Sequence, residues 1–118
     1  MKKIVVIGSL NIDYSISINR QPQVGETIKA NSYTLNAGGK GANQAYTIGK
    51  LGGNVSFIGA VGDDDNGKFL KKSLENVNVD ISHIETKTNT NTGTAFINID
   101  NSGNNSIIII AGANRISR

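Results

Sequence analysis

The sequence predicts an α/β fold in which a parallel sheet is accompanied by a small, separate layer of antiparallel strands. Two continuous apolar runs, at residues 3–8 and 55–61, are typical of strands buried within a parallel sheet. One helical pattern lies between these runs and another follows the second, which predicts βαβ units. Two pairs of segments with alternating apolar and polar residues predict the second layer. With 118 residues, the chain has room for one domain.

The first third of the chain is predicted to hold three strands. The run at residues 3–8 is expected to be buried on both faces of the sheet. Residues 12–18 alternate between Ile or Tyr and Asp or Ser, which predicts a half-buried strand. After a turn at 20–25, its antiparallel partner is predicted over 27–35. A glycine-dense loop at 36–41 then leads into a helix.

The first helix is indicated by small and apolar residues at intervals of three and four. These residues are Ala42, Ala45, Tyr46 and Gly49. Gly52 and Gly53 predict the end of the helix, because glycine is common just after a helix. The buried strand at 55–61 follows and ends at Gly62.

The second half of the chain is predicted to hold a helix, a short strand and a hairpin. Three aspartates at 63–65 precede a helix of about ten residues. The residues of this helix that we expect to face the core are Phe69, Leu70 and Leu74. A short strand is predicted at 81–85. The alternating segments 94–100 and 106–110, joined by a turn, predict a β-hairpin.

Composition excludes several classes of function. The chain has no cysteine and one histidine, His83, so a disulfide framework, a cysteine nucleophile and a multi-histidine metal site are excluded. Twelve Lys and Arg residues against nine Asp and Glu residues give a net charge of +3, and the cations are scattered. We therefore expect no nucleic-acid partner. No apolar run approaches the roughly 20 residues of a membrane span, so we expect a cytoplasmic protein with no membrane partner.

The strongest local signal for a binding site is the glycine block at the start of the first helix, residues 38–43. Glycines allow a backbone to approach a ligand closely, and a helix N-terminus offers unpaired N–H groups to oxygen-rich ligands. The block is not a Walker A loop, because Lys40 is followed by Gly41. A tight turn that packs the helix against the sheet is the alternative interpretation.

Two polar residues follow the first predicted strand and could share that site. Asn11 and Asp13 lie just beyond its carboxyl end, where α/β sheets bind ligands. A carboxylate and an amide can hold neighbouring hydroxyl groups by paired hydrogen bonds, and Asn43 in the first turn of the helix could join them. Turn capping by Asn11 and Asp13 is the alternative.

Other polar or apolar clusters carry less functional weight. The aspartates at 63–65 do not match a calcium loop, and acidic residues before a helix are typical caps. His83 is interpreted as a bystander beside a polar loop. The run Ile107–Ile110 is expected to take part in packing rather than in membrane contact.

Five blocks, in order along the chain, resemble the N-terminal part of the PfkB family of carbohydrate kinases. The blocks are GSLNID at 8–13, GET at 25–27, GGKGANQA at 38–45, GAVGDD at 59–64 and AGAN at 111–114. The resemblance implies an α/β, Rossmann-like ribokinase fold, of which residues 1–118 are the N-terminal part. It also implies a small β-sheet lid, formed by segments at about 12–35 and 94–110.

The resemblance further implies roles for individual residues. Asn11 and Asp13 would bind sugar hydroxyl groups. Four residues of the glycine block would hold the sugar from the other side, namely Gly39, Lys40, Gly41 and Asn43. Apolar lid residues over the sugar would be Ala95, Ile97 and Ile109.

The implied reaction is ATP-dependent phosphorylation of a primary hydroxyl of a pentose, with ribose converted to ribose 5-phosphate. The resemblance also implies Mg²⁺, a monovalent cation and a homodimer formed through the lid. None of the ATP, Mg²⁺ or cation contacts is attributable to residues 1–118, and the catalytic aspartate is expected beyond Arg118. We therefore expect a fragment that binds sugar weakly, transfers no phosphate and self-associates. The alternatives are a family kinase for another sugar or a nucleoside, and a non-catalytic sugar-binding or scaffolding module.

Overall fold

Residues 2–115 are described by the structure, a computed structural model. The elements in chain order are β1 (Ile4–Ile7), β2 (Asn11–Ser17), β3 (Ser32–Gly38), α1 (Lys40–Lys50), β4 (Val55–Gly62), α2 (Asp65–Glu75), β5 (Ile84–Lys87), β6 (Gly93–Ile99), β7 (Asn105–Ile110) and a 3-10 helix (Gly112–Asn114). They form two sheets, one of three strands and one of four. The predicted separate β layer is confirmed.

The three-stranded sheet has the order β1-β4-β5, and all of its strands are parallel. Both helices pack against β4 and contact each other. Helix α1 buries Ala42, Ala45 and Gly49, and α2 buries Leu70 and Leu74. The core between the helices and the sheet includes Val55, Phe57 and Val61, each at most 1% exposed. The predicted βαβ arrangement is therefore confirmed.

Strand β1 is present, but the expectation that it is buried on both faces is wrong. Ile4, Val5 and Ile7 are 46%, 52% and 75% exposed, whereas Val6 packs against the core. Within residues 2–115, only β4 pairs with β1, so this strand lies at an edge of the sheet. Its apolar run predicted a strand correctly but carried no information about which neighbours cover it.

Several predicted boundaries shift. The strand expected at 27–35 is β3, which begins at Ser32 and continues through Asn36–Gly38, so the predicted glycine loop shrinks to a single residue before α1. The strand expected at 81–85 begins at Ile84 and ends at Lys87. The register of β3 explains the first shift, because Gly38 pairs with Asn11 at the start of β2.

Phe69, which was expected to face the core, does not, and neither does Tyr46 from the predicted pattern of α1. Phe69 is 52% exposed, and Tyr46 is also exposed. On α2 the buried stripe passes through Gly67, Leu70 and Leu74, and Phe69 is rotated about 100° away from Leu70 around the helix. A residue of α2 that lies outside this buried stripe is exposed to solvent even when its side chain is large and apolar.

The four-stranded sheet has the order β3-β2-β6-β7. The pairs β2–β3 and β6–β7 are antiparallel, as predicted, and β2 joins the two pairs by running parallel to β6. The run Ile107–Ile110 forms the outer strand, and all four isoleucines are exposed in this chain. The packing expected for them is therefore not supplied by residues 2–115.

Candidate functional site

Asp13 lies in a row of side chains that crosses the four-stranded sheet. The register pairs Asp13 with Asn36 on one side and with Ala95 on the other, and Ala95 pairs in turn with Ile109. Directly opposed residues of neighbouring strands project from the same face of a sheet. Ile97, two residues beyond Ala95, projects from that face as well. One face therefore presents a carboxylate and an amide beside an apolar patch.

Asn11 begins β2 on the same face, two residues before Asp13. It is half-buried, and its paired neighbours are Gly38 on β3 and Gly93 on β6. Because neither neighbour has a side chain, the amide of Asn11 and the carboxylate of Asp13 have room at this end of the sheet.

The carboxylate of Asp13 is half-buried and is packed against Gly38, where any Cβ atom would collide with it. Burial raises the pKa of Asp13 above its ordinary value. Within residues 2–115, no side-chain or backbone group donates a hydrogen bond to this carboxylate. A half-buried acceptor without a donor is suited to receive a hydrogen bond from a ligand.

The first turn of α1 lies beside Asp13, because Gly38 leads directly into the helix. Gly39 has a φ of 100°, and a Cβ atom at this position would collide with the carbonyl oxygen of Ser9. The N–H of Asn43 donates to the carbonyl oxygen of Gly39 at 2.9 Å, which closes the first turn. Lys40 and the side chain of Asn43 are exposed, and Gly41 packs against Gly8 at the end of β1.

The structure brings Asn11, Asp13 and Gly38 together at the start of β2. Among residues 2–115, the side chains of Lys40 and Asn43 make no hydrogen bond to Asp13, and Asn43 lines a hollow with Leu10 and Ala37. Asn11 and Asp13 belong to β2 rather than to a turn, so the turn-capping interpretation is wrong. The predicted binding block begins where β3 ends, at the same edge of the sheet. His83 is exposed and far along the chain from these elements, in the turn before β5.

Sequence reasoning gave no role to Asn114, which the structure places against Asn11. Its Nδ2 donates to Asn11 Oδ1 at 2.7 Å and to the carbonyl oxygen of Leu10 at 3.0 Å. Its Oδ1 accepts from the N–H of Leu10 at 3.0 Å. The only available signal was its place in the AGAN block, which says nothing about contacts.

One of the three aspartates at 63–65 caps α2, as predicted for this cluster. Asp64 is the N-cap residue, and its Oδ1 accepts from the N–H of Gly67 at 2.9 Å. The same carboxylate also accepts from the N–H and the hydroxyl of Thr92, just before β6. Among the described residues, no group of three His, Asp or Glu side chains could hold a metal ion.

An open cavity of about 680 Å³ lies beyond the carboxyl end of β1, beside Gly59 and Ala60 in the middle of β4 and the carboxyl end of β5. It is lined by Gly8 and Ser9 after β1, by residues of and after β5, and by Asn114. Asn114 therefore lies between this cavity and Asn11. The position agrees with the general rule that α/β sheets bind ligands beyond the carboxyl ends of their strands.

Comparison with known proteins decides the family. The sequence profile of the pfkB family carbohydrate kinases matches residues 1–116. This chain belongs to the PfkB family. The resemblance inferred from the five sequence blocks is confirmed, and so is the α/β fold of the family.

Individual members of the PfkB family are similar in sequence and in structure. The ribokinase of Haemophilus influenzae is 41% identical over 96% of this chain, which covers 37% of that protein. A Cryptococcus neoformans ribokinase in complex with ADP superposes with a TM-score of 0.90 at 38% identity, over 99% of this chain and 36% of that one. An Arabidopsis thaliana ribokinase complexed with ribose and ATP superposes with a TM-score of 0.88 at 41% identity, over 94% of this chain and 36% of that one.

This PfkB chain thus spans little more than a third of the length of the relatives it matches. Between residues 2 and 115, no helix has the length and the hydropathy that a membrane crossing requires.

Proposed function

We propose that this chain is the sugar-binding part of an ATP-dependent kinase that phosphorylates the primary hydroxyl of a pentose, with D-ribose as the substrate and ribose 5-phosphate as the product. The observation that carries the proposal is the half-buried Asp13 carboxylate, which has no donor within the described residues and faces the same side as Asn11. The relatives named ribokinase, one of them complexed with ribose and ATP, support the choice of sugar and co-substrate.

The arrangement of the site suits a small polyol. Asp13 would accept hydrogen bonds from sugar hydroxyl groups, and Asn11 and Asn43 would supply amide groups. Gly39, Lys40 and Gly41 would bring the start of α1 to the other side of the sugar. Charge-assisted hydrogen bonds to a carboxylate are stronger than neutral ones, so Asp13 would contribute most of the polar binding energy.

The apolar part of the same face would cover the carbon skeleton of the sugar. Ala95, Ile97 and Ile109 project from it, and Ile109 is exposed in this chain. Closure of these side chains over the ligand would exclude water and strengthen the hydrogen bonds made by Asp13. In this proposal the four-stranded sheet is the lid, with strands at 11–17, 32–38, 93–99 and 105–110.

Transfer of the phosphoryl group depends chiefly on positioning and on charge neutralisation. ATP would supply that group, and Mg²⁺ and a monovalent cation would accompany it. The described residues offer no ligand set for a metal ion, so no catalytic step is assigned to a metal held by this chain. The chain covers about a third of its relatives, which supports placing the catalytic aspartate and the nucleotide pocket outside residues 1–118.

The proposal includes a homodimer formed through the lid and a cytoplasmic location. The exposed isoleucines of β7 support the dimer, because contiguous exposed apolar surface is typical of an interface. A dependence on ATP supports the cytoplasm, where ATP is available.

A substrate panel tests the proposal. The protein expressed from its complete reading frame should release ADP from ATP in a coupled assay with D-ribose, and more slowly with 2-deoxyribose, a hexose or a nucleoside. The 118-residue chain alone should bind D-ribose weakly by calorimetry and release no ADP. If another sugar is turned over faster, that sugar rather than D-ribose is the preferred substrate. Sugar binding without turnover by the complete protein would favour a non-catalytic module, and no binding would refute the site.

A further inference from the structure

We infer that Asn114 is a positioning residue that fixes the orientation of the Asn11 side-chain amide, so that Asn11 acts as a hydrogen-bond donor towards the sugar. The inference rests on the proposed function and adds a residue to the same site. It starts from the three hydrogen bonds that one side chain makes to Leu10 and Asn11.

The backbone of Leu10 determines which way the Asn114 amide points. An N–H group can only donate and a carbonyl group can only accept. The N–H of Leu10 contacts Asn114 Oδ1, and the carbonyl oxygen of Leu10 contacts Asn114 Nδ2, each at 3.0 Å. A flipped Asn114 would place two acceptors together and two donors together, so the backbone fixes a single orientation.

The fixed orientation of the Asn114 amide determines the orientation of the Asn11 amide through the hydrogen bond between them. Asn114 Nδ2 is a donor, and it lies 2.7 Å from the Asn11 side chain, which must present its oxygen. The Nδ2 group of Asn11 is therefore directed away from Asn114. Beside it, Asp13 is an acceptor. The two residues of β2 thus present one donor and one acceptor, which matches a pair of neighbouring hydroxyl groups.

The surrounding backbone is built to hold Asn114 in this place. Gly93 has no room for a Cβ atom, which would collide with Asn114 Nδ2 and lie 2.5 Å from Asn11 Oδ1. The 3-10 helix that carries Asn114 is tied to the segment before β6, because the N–H of Ala113 donates to the carbonyl oxygen of Asn91 at 2.8 Å. Asn114 is half-buried, so its hydrogen bonds have limited competition from water.

A double-mutant cycle tests the inference in the protein expressed from its complete reading frame. D-ribose affinity is measured by calorimetry for the wild type, Asn11→Ala, Asn114→Ala and the double variant. Asn114→Ala should weaken binding about tenfold when Asn11 is present, the scale of one lost hydrogen bond. With Asn11 already replaced, the same change should have less than a twofold effect, because residues that act as a unit are not additive.

Asn114→Asp distinguishes an effect on the orientation of the Asn11 amide from an effect of lost packing. It also replaces Asn114→Ala in the experiment if that variant does not fold. Aspartate has nearly the same shape, but its carboxylate can only accept and would face the Asn11 oxygen. Binding should weaken at least as much as with Asn114→Ala. Ser73→Ala is the matched control, since it removes a part-buried side-chain hydrogen bond to the carbonyl oxygen of Leu70 within α2, outside the proposed site and lid, and should leave affinity unchanged.

The outcomes separate the two proposals. Equal effects of Asn114→Ala with and without Asn11, or wild-type affinity in Asn114→Asp, would overturn the inference and leave the proposed function standing. Failure of the wild-type protein to bind D-ribose would overturn both.

Discussion

Asp64 and Thr92 join the N-terminus of α2 to the start of β6 through one carboxylate. Asp64 Oδ2 accepts from the N–H of Thr92 at 2.8 Å, and Oδ1 accepts from its hydroxyl. The hydroxyl oxygen of Thr92 in turn accepts from the N–H of Gly62 at 3.0 Å, at the end of β4. The two sheets are therefore connected at the point where β6 enters the proposed lid.

Asp64→Asn is expected to lower the free energy of unfolding by about 1–3 kcal/mol, since it weakens a helix cap and two further hydrogen bonds. Burial acts to raise the pKa of Asp64, but the hydrogen bonds from Thr92 and Gly67 outweigh it and lower that pKa. A lowered pKa in the folded state gives stability that is present above the unfolded value of 3.8 and is lost as the pH falls below it.

Urea denaturation between pH 3 and pH 7 measures this effect. The wild type should lose stability towards pH 3 more steeply than Asp64→Asn. Asp65→Asn is the matched control, because it removes the same charge from an exposed neighbour. Equal stability of the two variants at pH 7 would contradict the role of Asp64.

Asp13→Asn is expected to weaken D-ribose binding by about 10- to 100-fold, because a hydrogen bond to a charged group contributes about 1.5–3 kcal/mol. The wild-type affinity should fall as the pH drops through the raised pKa of Asp13, because protonation removes the charge that strengthens the hydrogen bond. The Asn variant should lack this pH dependence. Calorimetry across pH 4 to pH 8 measures both effects, and an unchanged affinity would reduce Asp13 to a structural residue of β2.

Without sugar, Asp13→Asn is expected to be more stable than the wild type at neutral pH. A raised pKa in the folded state means that Asp13 stabilises the fold only at low pH and that this stabilisation is lost as the pH rises through the raised value. The difference in Tm should therefore shrink towards pH 4. A lower Tm for the variant at pH 7 would show that the carboxylate has a stabilising partner.

Gly39→Ala is expected to weaken sugar binding as well as stability, because the new Cβ atom would displace the carbonyl group of Ser9 and with it the start of α1. Gly52→Ala is the matched control. Gly52 has a φ of 87°, and a Cβ atom at this position would have no neighbour within 4 Å, so its replacement isolates the backbone cost of about 1–2 kcal/mol. Equal affinity for D-ribose in the two variants would contradict a role for Gly39 in the site.

Glu26 is expected to titrate well below an ordinary glutamate. The Arg20 guanidinium, with Nη1 at 2.6 Å from Glu26 Oε1, and the N–H of Gln23 lower the pKa of Glu26 to about 2. In Arg20→Met the pKa should return towards 4.5, as followed by the carboxyl carbon shift in NMR titrations. Lys29→Met, which removes another cation from the same loop, should have no such effect; a similar rise there would point to general charge instead of the hydrogen bonds from Arg20.

Ile108→Lys is expected to convert a lid-mediated dimer to monomers. Ile108 is 59% exposed on β7 and lies on the face opposite Ile109, so the change spares the proposed sugar contact. Leu51→Lys, at an 82% exposed position after α1, is the matched control and should leave the dimer intact. Sedimentation equilibrium measures both. A monomeric wild type would exclude the dimer.

The local pattern of apolar and polar residues was sufficient to predict the order of the strands and helices. The apolar periodicities of 2 residues in strands and 3.6 residues in helices can be recognised within short segments of the sequence. It did not predict the exposure of Ile7 or Phe69, since exposure depends on which elements cover a position. It also did not predict where β3 ends, because that limit is set by the pairing of Gly38 with Asn11.

Prediction of the candidate site was also limited to what local sequence patterns can indicate. Asn11, Asp13 and the glycine block were predicted as site residues because they lie near predicted element boundaries, where α/β proteins commonly bind ligands. Asn114 and Thr92 were missed, because their contacts join residues 104 and 28 positions apart along the chain. A hydrogen bond between a side chain and a distant backbone group leaves no periodic trace in the sequence.

The parallel pairing of β2 with β6 has a consequence for synthesis. The partners, such as Asn11 and Gly93, are about 80 residues apart, and a ribosome adds roughly 5–20 residues per second. The β2–β3 hairpin therefore emerges several seconds before the strand that completes its sheet. During that interval one edge of β2 has no backbone partner, so its N–H and C=O groups are open to pairing with another chain.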